Sequence, residues 1–168
     1  MTPFEIGYGP FVKFDHDFIG REALQEMADA PKRQKVTLAL DNDDALRCIG
    51  QQLFEDDRAK YMDFPSAVYS MHPFDKVVAG NETIGVSTWV GYSSGERKML
   101  TLAVIDAQHA EPGNEVTLVW GEEGGGSSKP TVENHSQQEI RAIVCPAPYA
   151  KTARSSYADV PGWRSGET

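Results

Sequence analysis

The sequence is poor in cysteine and lacks long apolar runs. Its 168 residues include two cysteines, too few for the disulfide framework of a small secreted domain. No apolar run approaches the ~20 residues that a membrane-spanning helix requires. The first residues also lack the basic, apolar and small-residue series of a secretion signal. These absences lead us to expect reduced thiols, no membrane anchor and a cytoplasmic location.

Basic residues are also scarce. The chain has 16 lysines and arginines against 25 aspartates and glutamates, which gives a formal net charge of -9. A broad nucleic-acid surface and an anionic membrane both require a positively charged face on the protein. We therefore expect neither nucleic acid nor membrane among the partners.

No motif of metal or phosphate chemistry is complete. The segment GEEGGGSSKP has two glycines at the first spacing of a phosphate-binding loop, but Ser127 stands where that loop needs lysine. The acidic run DNDDA resembles a calcium loop, yet Leu46 and Gln52 occupy the positions that require Gly and Glu. None of the four histidines lies in a zinc-binding pattern. We predict no metal site and no catalytic residue in this chain.

Short runs of β-branched and aromatic residues dominate the chain after residue 32. Gly, Asn, Pro and charged residues separate them, and AGNET between two runs is typical of a hairpin turn. This pattern of short runs and turn residues predicts a mainly β protein with a closed or nearly closed antiparallel barrel. The runs are KVTLALD, SAVYSM, DKVVAGNETIGVSTWVGYS, KMLTLAVID, NEVTLVWG and EIRAIVCPAPY.

Helical signals are few and short. Before the barrel, the pattern predicts a strand over Glu5–Phe14, broken by two glycines, and a helix over Arg21–Asp29 with Asp17 as its N-cap. A second helix is indicated over Asp44–Phe54. The polar tail from Lys151 onward has no periodic pattern, and we expect an extended or partly disordered arm there.

The opening stretch TPFEIGYGPFVKFDHDFIGREAL resembles a signature of the glycine-cleavage T-protein superfamily, the tetrahydrofolate-dependent aminomethyl- and methyltransferases. KVTL, NETIGVSTWVGYSSGERKMLTLAVID, EPGNEVTLVWG and IRAIVCPAPY are similar to later segments of that superfamily, in the same order. The likeness covers residues 2–150. The long insert GEEGGGSSKPTVENHSQQE and the tail YAKTARSSYA look most like the folate-dependent aryl O-demethylases, which act on methoxy-aromatics of the vanillate and syringate type.

This resemblance implies an organisation for the chain. Residues 1–32 would be the end of the folate-binding catalytic domain, residues 33–150 a Greek-key-like C-terminal barrel and residues 151–168 a polar arm. The superfamily's catalytic aspartate and main pterin contacts lie upstream of the matching segment. We therefore expect a fragment of a longer enzyme. Its cofactor would be tetrahydrofolate, and its partners a small methyl or aminomethyl donor and the upstream catalytic domains.

Five residues are candidates for contact with the folate. Aromatic rings could stack on its pterin or aminobenzoyl ring, and a lysine could pair with its glutamate. Simpler roles stay open, because the aromatics could pack the barrel, the glutamate could pair with Arg21 and the lysine could be a solvated strand end. Two positions depart from the superfamily pattern, Pro10 in place of an aromatic residue and Lys35 in place of arginine. The candidates are Glu5, Tyr8, Lys35, Trp89 and Tyr92.

Two other functions fit the same sequence. One is the T-protein-like half of a sarcosine or dimethylglycine dehydrogenase, and the other is a barrel that binds a partner without catalysis. An enzyme fragment should expose apolar surface around Phe4, Phe11 and Phe18, whereas a free-standing module should cover that surface or dimerise through it.

Overall fold

Six antiparallel strands form a closed barrel in the computed structural model, which describes residues 1–28, 32–62, 74–126 and 133–155. The spatial order of the strands is β1-β4-β3-β2-β5-β6. The strands are β1 Arg33–Leu40, β2 Lys76–Ala79, β3 Glu82–Ser93, β4 Lys98–Asp106, β5 Glu115–Trp120 and β6 Gln138–Cys145, and the helices are α1 Arg21–Ala28, α2 Asn42–Phe54 and α3 Lys151–Ser155. The predicted mainly β fold and its antiparallel barrel are confirmed.

The strand order contains a Greek key. β2, β3 and β4 follow one another as paired neighbours, and β5 then returns to lie beside β2. The return crosses the end of the barrel through residues 107–114, which include the 3-10 turn Ala107–His109. Three consecutive strands and a fourth beside the first are the defining order of this motif.

Alternating apolar residues fill the barrel. In β1, the core takes Val36, Leu38 and Leu40, and β5 and β6 contribute every second residue in the same way. This follows from the two-residue period of a strand, which directs alternate side chains to opposite faces. Each fully buried side chain of this kind stabilises the fold by about 1.5–3 kcal/mol relative to exposure.

Helix α2 covers one end of the barrel and begins two residues before its predicted start. The Asp41 carboxylate accepts the backbone N–H groups of Asp43 and Asp44, both at 3.1 Å. That cap satisfies donors which a helix start leaves unpaired. Ala45 and Cys48 face the core from this helix.

Helix α1 begins at Arg21 as predicted, but Asp17 is not its N-cap. Instead, the Asp17 carboxylate accepts a hydrogen bond from the Arg21 guanidinium at 3.3 Å. Asp17 lies too far before the first helical residue for its side chain to reach the free N–H groups of the first turn. No residue of α1 is buried.

The predicted strand over Glu5–Phe14 is wrong. This stretch consists of turns and a 3-10 helix over Gly9–Phe11. Gly7 has φ of +86°, which an extended strand does not use. The barrel is also closed, so it offers no free edge with which another strand could pair.

The tail also departs from its predicted form at its start. Residues 151–155 form the short helix α3 rather than an extended arm, and the Arg154 guanidinium donates to the Pro148 carbonyl oxygen at 2.7 Å. The remaining tail residues 156–168 and the predicted strand over residues 66–71 lie outside the described residues. Within the described ranges, no helix is long and apolar enough to cross a membrane.

Candidate functional site

A cavity of about 670 Å³ lies between the N-terminal segment, residues 1–28, and the outside of the barrel. We call it the outer cavity. The N-terminal segment forms one wall, and β1, β3 and β4 form the other. Its lining residues are Met1, Ile6, Tyr8, Lys35, Phe74, Thr88, Trp89, Leu102 and Val104.

Strand register places this cavity on the outer face of the barrel. Lys35 pairs with Val104, and Trp89 pairs with Leu102, so these four side chains share one face of the sheet. The neighbouring Val36 belongs to the core. Because side chains alternate along a strand, Lys35 must point outward.

Three of the five predicted contact residues meet in the outer cavity. They are Tyr8, Lys35 and Trp89, which come from separate parts of the chain. Tyr8 is 57% exposed, and its ring lies 6.3 Å from that of Phe11. Trp89 is half-buried. Their aromatic faces are therefore available to a flat ligand.

Lys35 carries the only charged side chain among the described residues that line the cavity. No carboxylate in the described part of the chain lies within ion-pair distance of it. A Cβ atom placed on Gly7 would lie 3.7 Å from the lysine Cδ and 4.0 Å from its Nζ. The lysine stem thus packs along the N-terminal segment. The arrangement presents one unpaired cation in a mostly apolar cavity, which suits an anionic group on an otherwise apolar ligand.

The other two predicted residues do not line the outer cavity. The Glu5 carboxylate accepts the backbone N–H of Thr2 at 2.7 Å, and the Thr2 hydroxyl oxygen accepts the Glu5 N–H at 3.3 Å. Arg21 bonds to Asp17 and to the Phe14 carbonyl oxygen rather than to Glu5. Tyr92 packs against the barrel core. In this structure Glu5 shapes the N-terminal turn, and the half-buried Tyr92 side chain contacts the core.

Sequence reasoning missed several residues of the cavity wall. Leu102 and Val104 carried a usable signal, because β4 reads KMLTLAVID with apolar residues at adjacent positions. Such a run indicates that both faces of a strand are covered. Met1, Ile6 and Phe74 had no comparable signal, since irregular segments bring them to the cavity.

A second polar cluster is buried near the start of β2. Lys60 Nζ lies 3.1 Å from both carboxylate oxygens of Asp75 and 4.9 Å from the centre of the Trp120 ring. Asp75 also accepts the Gly121 N–H at 2.9 Å. His135 Nε2 accepts the Glu122 N–H at 2.8 Å. Because its charges are paired with one another, we interpret this cluster as a structural contact that holds loops together.

Thiol chemistry is disfavoured at both cysteines. Burial raises the pKa of the Cys48 thiol to about 11 and also raises the pKa of Cys145 above its usual value. A thiol must lose its proton to act as a nucleophile or a metal ligand. Within the described residues, no group of three or more histidine, cysteine, aspartate or glutamate side chains is arranged to hold a metal ion.

The N-terminal segment exposes several large apolar side chains. Phe11 is 75% exposed, Met27 is 50% exposed and Ile19 is fully exposed. Phe4 and Phe18 were predicted to be exposed together with Phe11, but both side chains are half-buried. Helix α1 has an amphipathic sequence, but none of its residues is buried. A surface of this kind is typical of a region that contacts another protein element.

Comparison with known proteins gives a consistent picture. The chain is 60% identical over 165 residues to a syringate O-demethylase from Sphingobium sp., a match that covers 98% of this chain and 35% of that protein. It is 35% identical over 170 residues to a sesamin methylene transferase from Sinomonas sp., covering 95% of this chain and 35% of that protein. No family model matches the chain.

More distant relatives share a single name. An aminomethyltransferase from Streptomyces avermitilis is 33% identical over 115 residues, which cover 67% of this chain and 25% of that protein. The chain thus spans about a third of the length of its two most similar relatives described here.

Proposed function

Because this chain belongs to the glycine-cleavage T-protein (aminomethyltransferase) superfamily, we propose that it is the barrel portion of an enzyme that moves a one-carbon group to tetrahydrofolate. The donor would be a small methoxy-aromatic of the syringate type. The observation that carries this proposal is the 60% identity to a syringate O-demethylase over nearly the whole chain. The 33% identity to an aminomethyltransferase makes an amine donor the weaker alternative.

The outer cavity supports a role in folate binding. Its volume of about 670 Å³ lies within the range of about 300–1,000 Å³ that small-molecule sites occupy. Aromatic side chains and a lysine with no ion-pair partner in the described part of the chain match the chemistry of the aminobenzoyl-glutamate part of the cofactor, a flat ring that ends in carboxylates. Tyr8 and Trp89 would contact the ring, and Lys35 would pair with a carboxylate.

Each residue of the cavity would then have a specific task. When bound, tetrahydrofolate supplies the N5 nitrogen that accepts the one-carbon group. Tyr8 and Trp89 would orient the cofactor and exclude water from its ring, which favours a productive geometry. Lys35 would fix the anionic end of the cofactor. Glu5 would act indirectly, since its bond to Thr2 shapes the turn that carries Tyr8.

The rest of the active site would come from the remaining two thirds of a protein as long as the relatives. In this proposal residues 1–32 belong to the folate-binding catalytic domain, residues 33–150 form the barrel and residues 151–168 form an arm. The exposed Phe11, Ile19 and Met27 would pack against the catalytic domains. Proton transfer to the leaving phenolate would rest with those domains, because the sequence shows no catalytic motif here.

A labelled-methyl assay tests this function. The complete reading frame that encodes this sequence is incubated with tetrahydrofolate and with syringate carrying ¹³C in its methoxy groups. We expect ¹³C-methyltetrahydrofolate and a phenol that has lost one methyl group, both quantified by mass spectrometry. Reactions with dimethylglycine in place of syringate control for an amine donor. Methyl transfer from neither donor would contradict the proposal.

A further inference from the structure

The strand that carries Trp89 contains a β-bulge at that residue. Along β3, Ser87 pairs with Ala103 of β4 and Trp89 pairs with Leu102. Between these two pairs β3 advances by two residues, whereas β4 advances by one. Thr88 is therefore the extra residue of the bulge, and its hydroxyl donates to the Leu102 carbonyl oxygen at 3.2 Å. An insertion of this kind bends the strand and reorients the side chains that follow it.

The bulge reverses the alternation of β3. Ser87 faces the barrel interior, as its hydroxyl bond to the fully buried Thr101 shows. Regular alternation would direct Thr88 outward and Trp89 inward. In the structure both Thr88 and Trp89 line the outer cavity, while Val90 returns to the core. A shift of one residue is what moves a side chain from one face to the other.

Two buried hydroxyl groups hold the bulge from inside the barrel. Ser87 Oγ and Thr101 Oγ1 lie 2.7 Å apart. The Thr101 hydroxyl donates to the Trp89 carbonyl oxygen, the backbone acceptor at the bulge. Both side chains are fully buried, so neither has water as an alternative partner. A buried hydroxyl without a partner is costly, and these contacts give both hydroxyl groups a partner.

We propose that Ser87 and Thr101 are positioning residues that hold the bulge and so direct the Trp89 indole into the outer cavity. They touch no ligand themselves. Their relevance to folate binding rests on the function proposed above, whereas their effect on Trp89 is a property of the barrel alone. A measurement made without ligand therefore separates the two.

The indole N–H resonance of Trp89 in a ¹H–¹⁵N spectrum is a direct probe of its position. The chain has three tryptophans, and the spectrum of Trp89→Phe identifies the resonance. We expect Thr101→Val to shift or split this resonance, because the Trp89 carbonyl loses the hydrogen bond from the Thr101 hydroxyl. Thr101→Ser keeps the hydroxyl and should restore the original position. Ser87→Ala should give the same effect as Thr101→Val, only smaller.

Thr37→Val is the matched control. Thr37 is as deeply buried as Thr101, yet its hydroxyl has no hydrogen-bond partner within the described residues. The Trp89 resonance should not move in this variant. If Thr101→Val does not fold, Ser87→Ala decides, with the other indole resonances as a check on the fold. An unchanged Trp89 resonance in Thr101→Val or Ser87→Ala would overturn the proposal, whether or not the protein binds folate.

Discussion

Arg141 links strand β6 to the start of helix α2 through the carboxylates of Asp44 and Asp41. Its Nε atom donates to Asp44 Oδ2 at 2.8 Å, and its backbone N–H donates to the same oxygen at 3.0 Å. The guanidinium of Arg141 holds the pKa of Asp44 at about 2, below the usual 3.8. Asp41, which caps the helix, accepts a further bond from Arg141 at 3.1 Å.

Asp44→Asn should lower the free energy of unfolding by about 1 kcal/mol at pH 7. Hydrogen bonds to charged groups are worth about 1.5–3 kcal/mol, but Arg141 is largely exposed and its attraction is screened. Because the folded pKa is depressed, this stability is present above pH 3.8 and is lost as the pH falls toward 2.

Urea unfolding of both proteins across this pH range measures the effect. The difference between wild type and Asp44→Asn should shrink as the pH drops from about 4 toward 2. Asp43→Asn is the control, because its side chain is exposed and has no ion pair with any residue that the structure describes. An equal loss in both variants would show that Asp44 acts only as a general negative charge near the helix start.

At the scale of elements, the turn between β2 and β3 shows how local chemistry fixes a hairpin. Ala79 pairs with Glu82, which leaves Gly80 and Asn81 as a two-residue loop. Gly80 has φ of +60°, a value that glycine adopts without the clash a Cβ atom would cause. A glycine at the first loop position is typical of the type II′ turn.

Gly80→Ala should destabilise the chain by about 1 kcal/mol, since a left-handed backbone disfavours other residues by roughly 1–2 kcal/mol. Thermal unfolding measures this loss. Gly95→Ala is the control, because Gly95 lies in the next turn with open space around it and no left-handed backbone. If both variants unfold at the same temperature, the backbone of Gly80 is not the constraint described here.

The barrel strands in the described ranges were predictable from the sequence, and the turns of residues 5–14 were not. Alternation such as Val36, Leu38 and Leu40 follows directly from burial on one face of a strand, and the barrel places these residues as expected. The stretch around Gly7 has similar composition but forms turns. No sheet edge is free in a closed barrel, and this tertiary constraint leaves no trace in the local sequence.

The candidate site was predictable only in part for a related reason. Tyr8, Lys35 and Trp89 were predicted from family resemblance, and the fold brings them to one cavity. The bulge that directs Trp89 outward depends on contacts with Thr101, on another strand. A pattern within β3 alone would have directed Trp89 into the core. The pairing of β3 with β4 decides where the bulge lies and which way Trp89 points, and the sequence of β3 alone does not show either.

For the whole molecule, the structure divides into a well-filled barrel and a thinly packed N-terminal segment. The barrel is closed, and its interior is mostly apolar apart from the Ser87–Thr101 hydroxyl pair. The N-terminal segment has no buried residue in α1 and exposes Phe11, Ile19 and Met27. The outer cavity lies between these two parts. Its location fits a site that additional protein would complete, as the function proposed for this chain requires.

The central claim is that Lys35 in the outer cavity binds the anionic end of folate. To test this claim, calorimetry measures the dissociation constant of 5-formyltetrahydrofolate, a stable form of the cofactor. The protein measured is the product of the complete reading frame. Lys35→Met should weaken binding about tenfold, which corresponds to about 1.4 kcal/mol, and Lys35→Arg should recover most of the loss. Lys98→Met is the control, since Lys98 bonds to Asn42 away from the cavity. Equal affinities for wild type and Lys35→Met would contradict the claim.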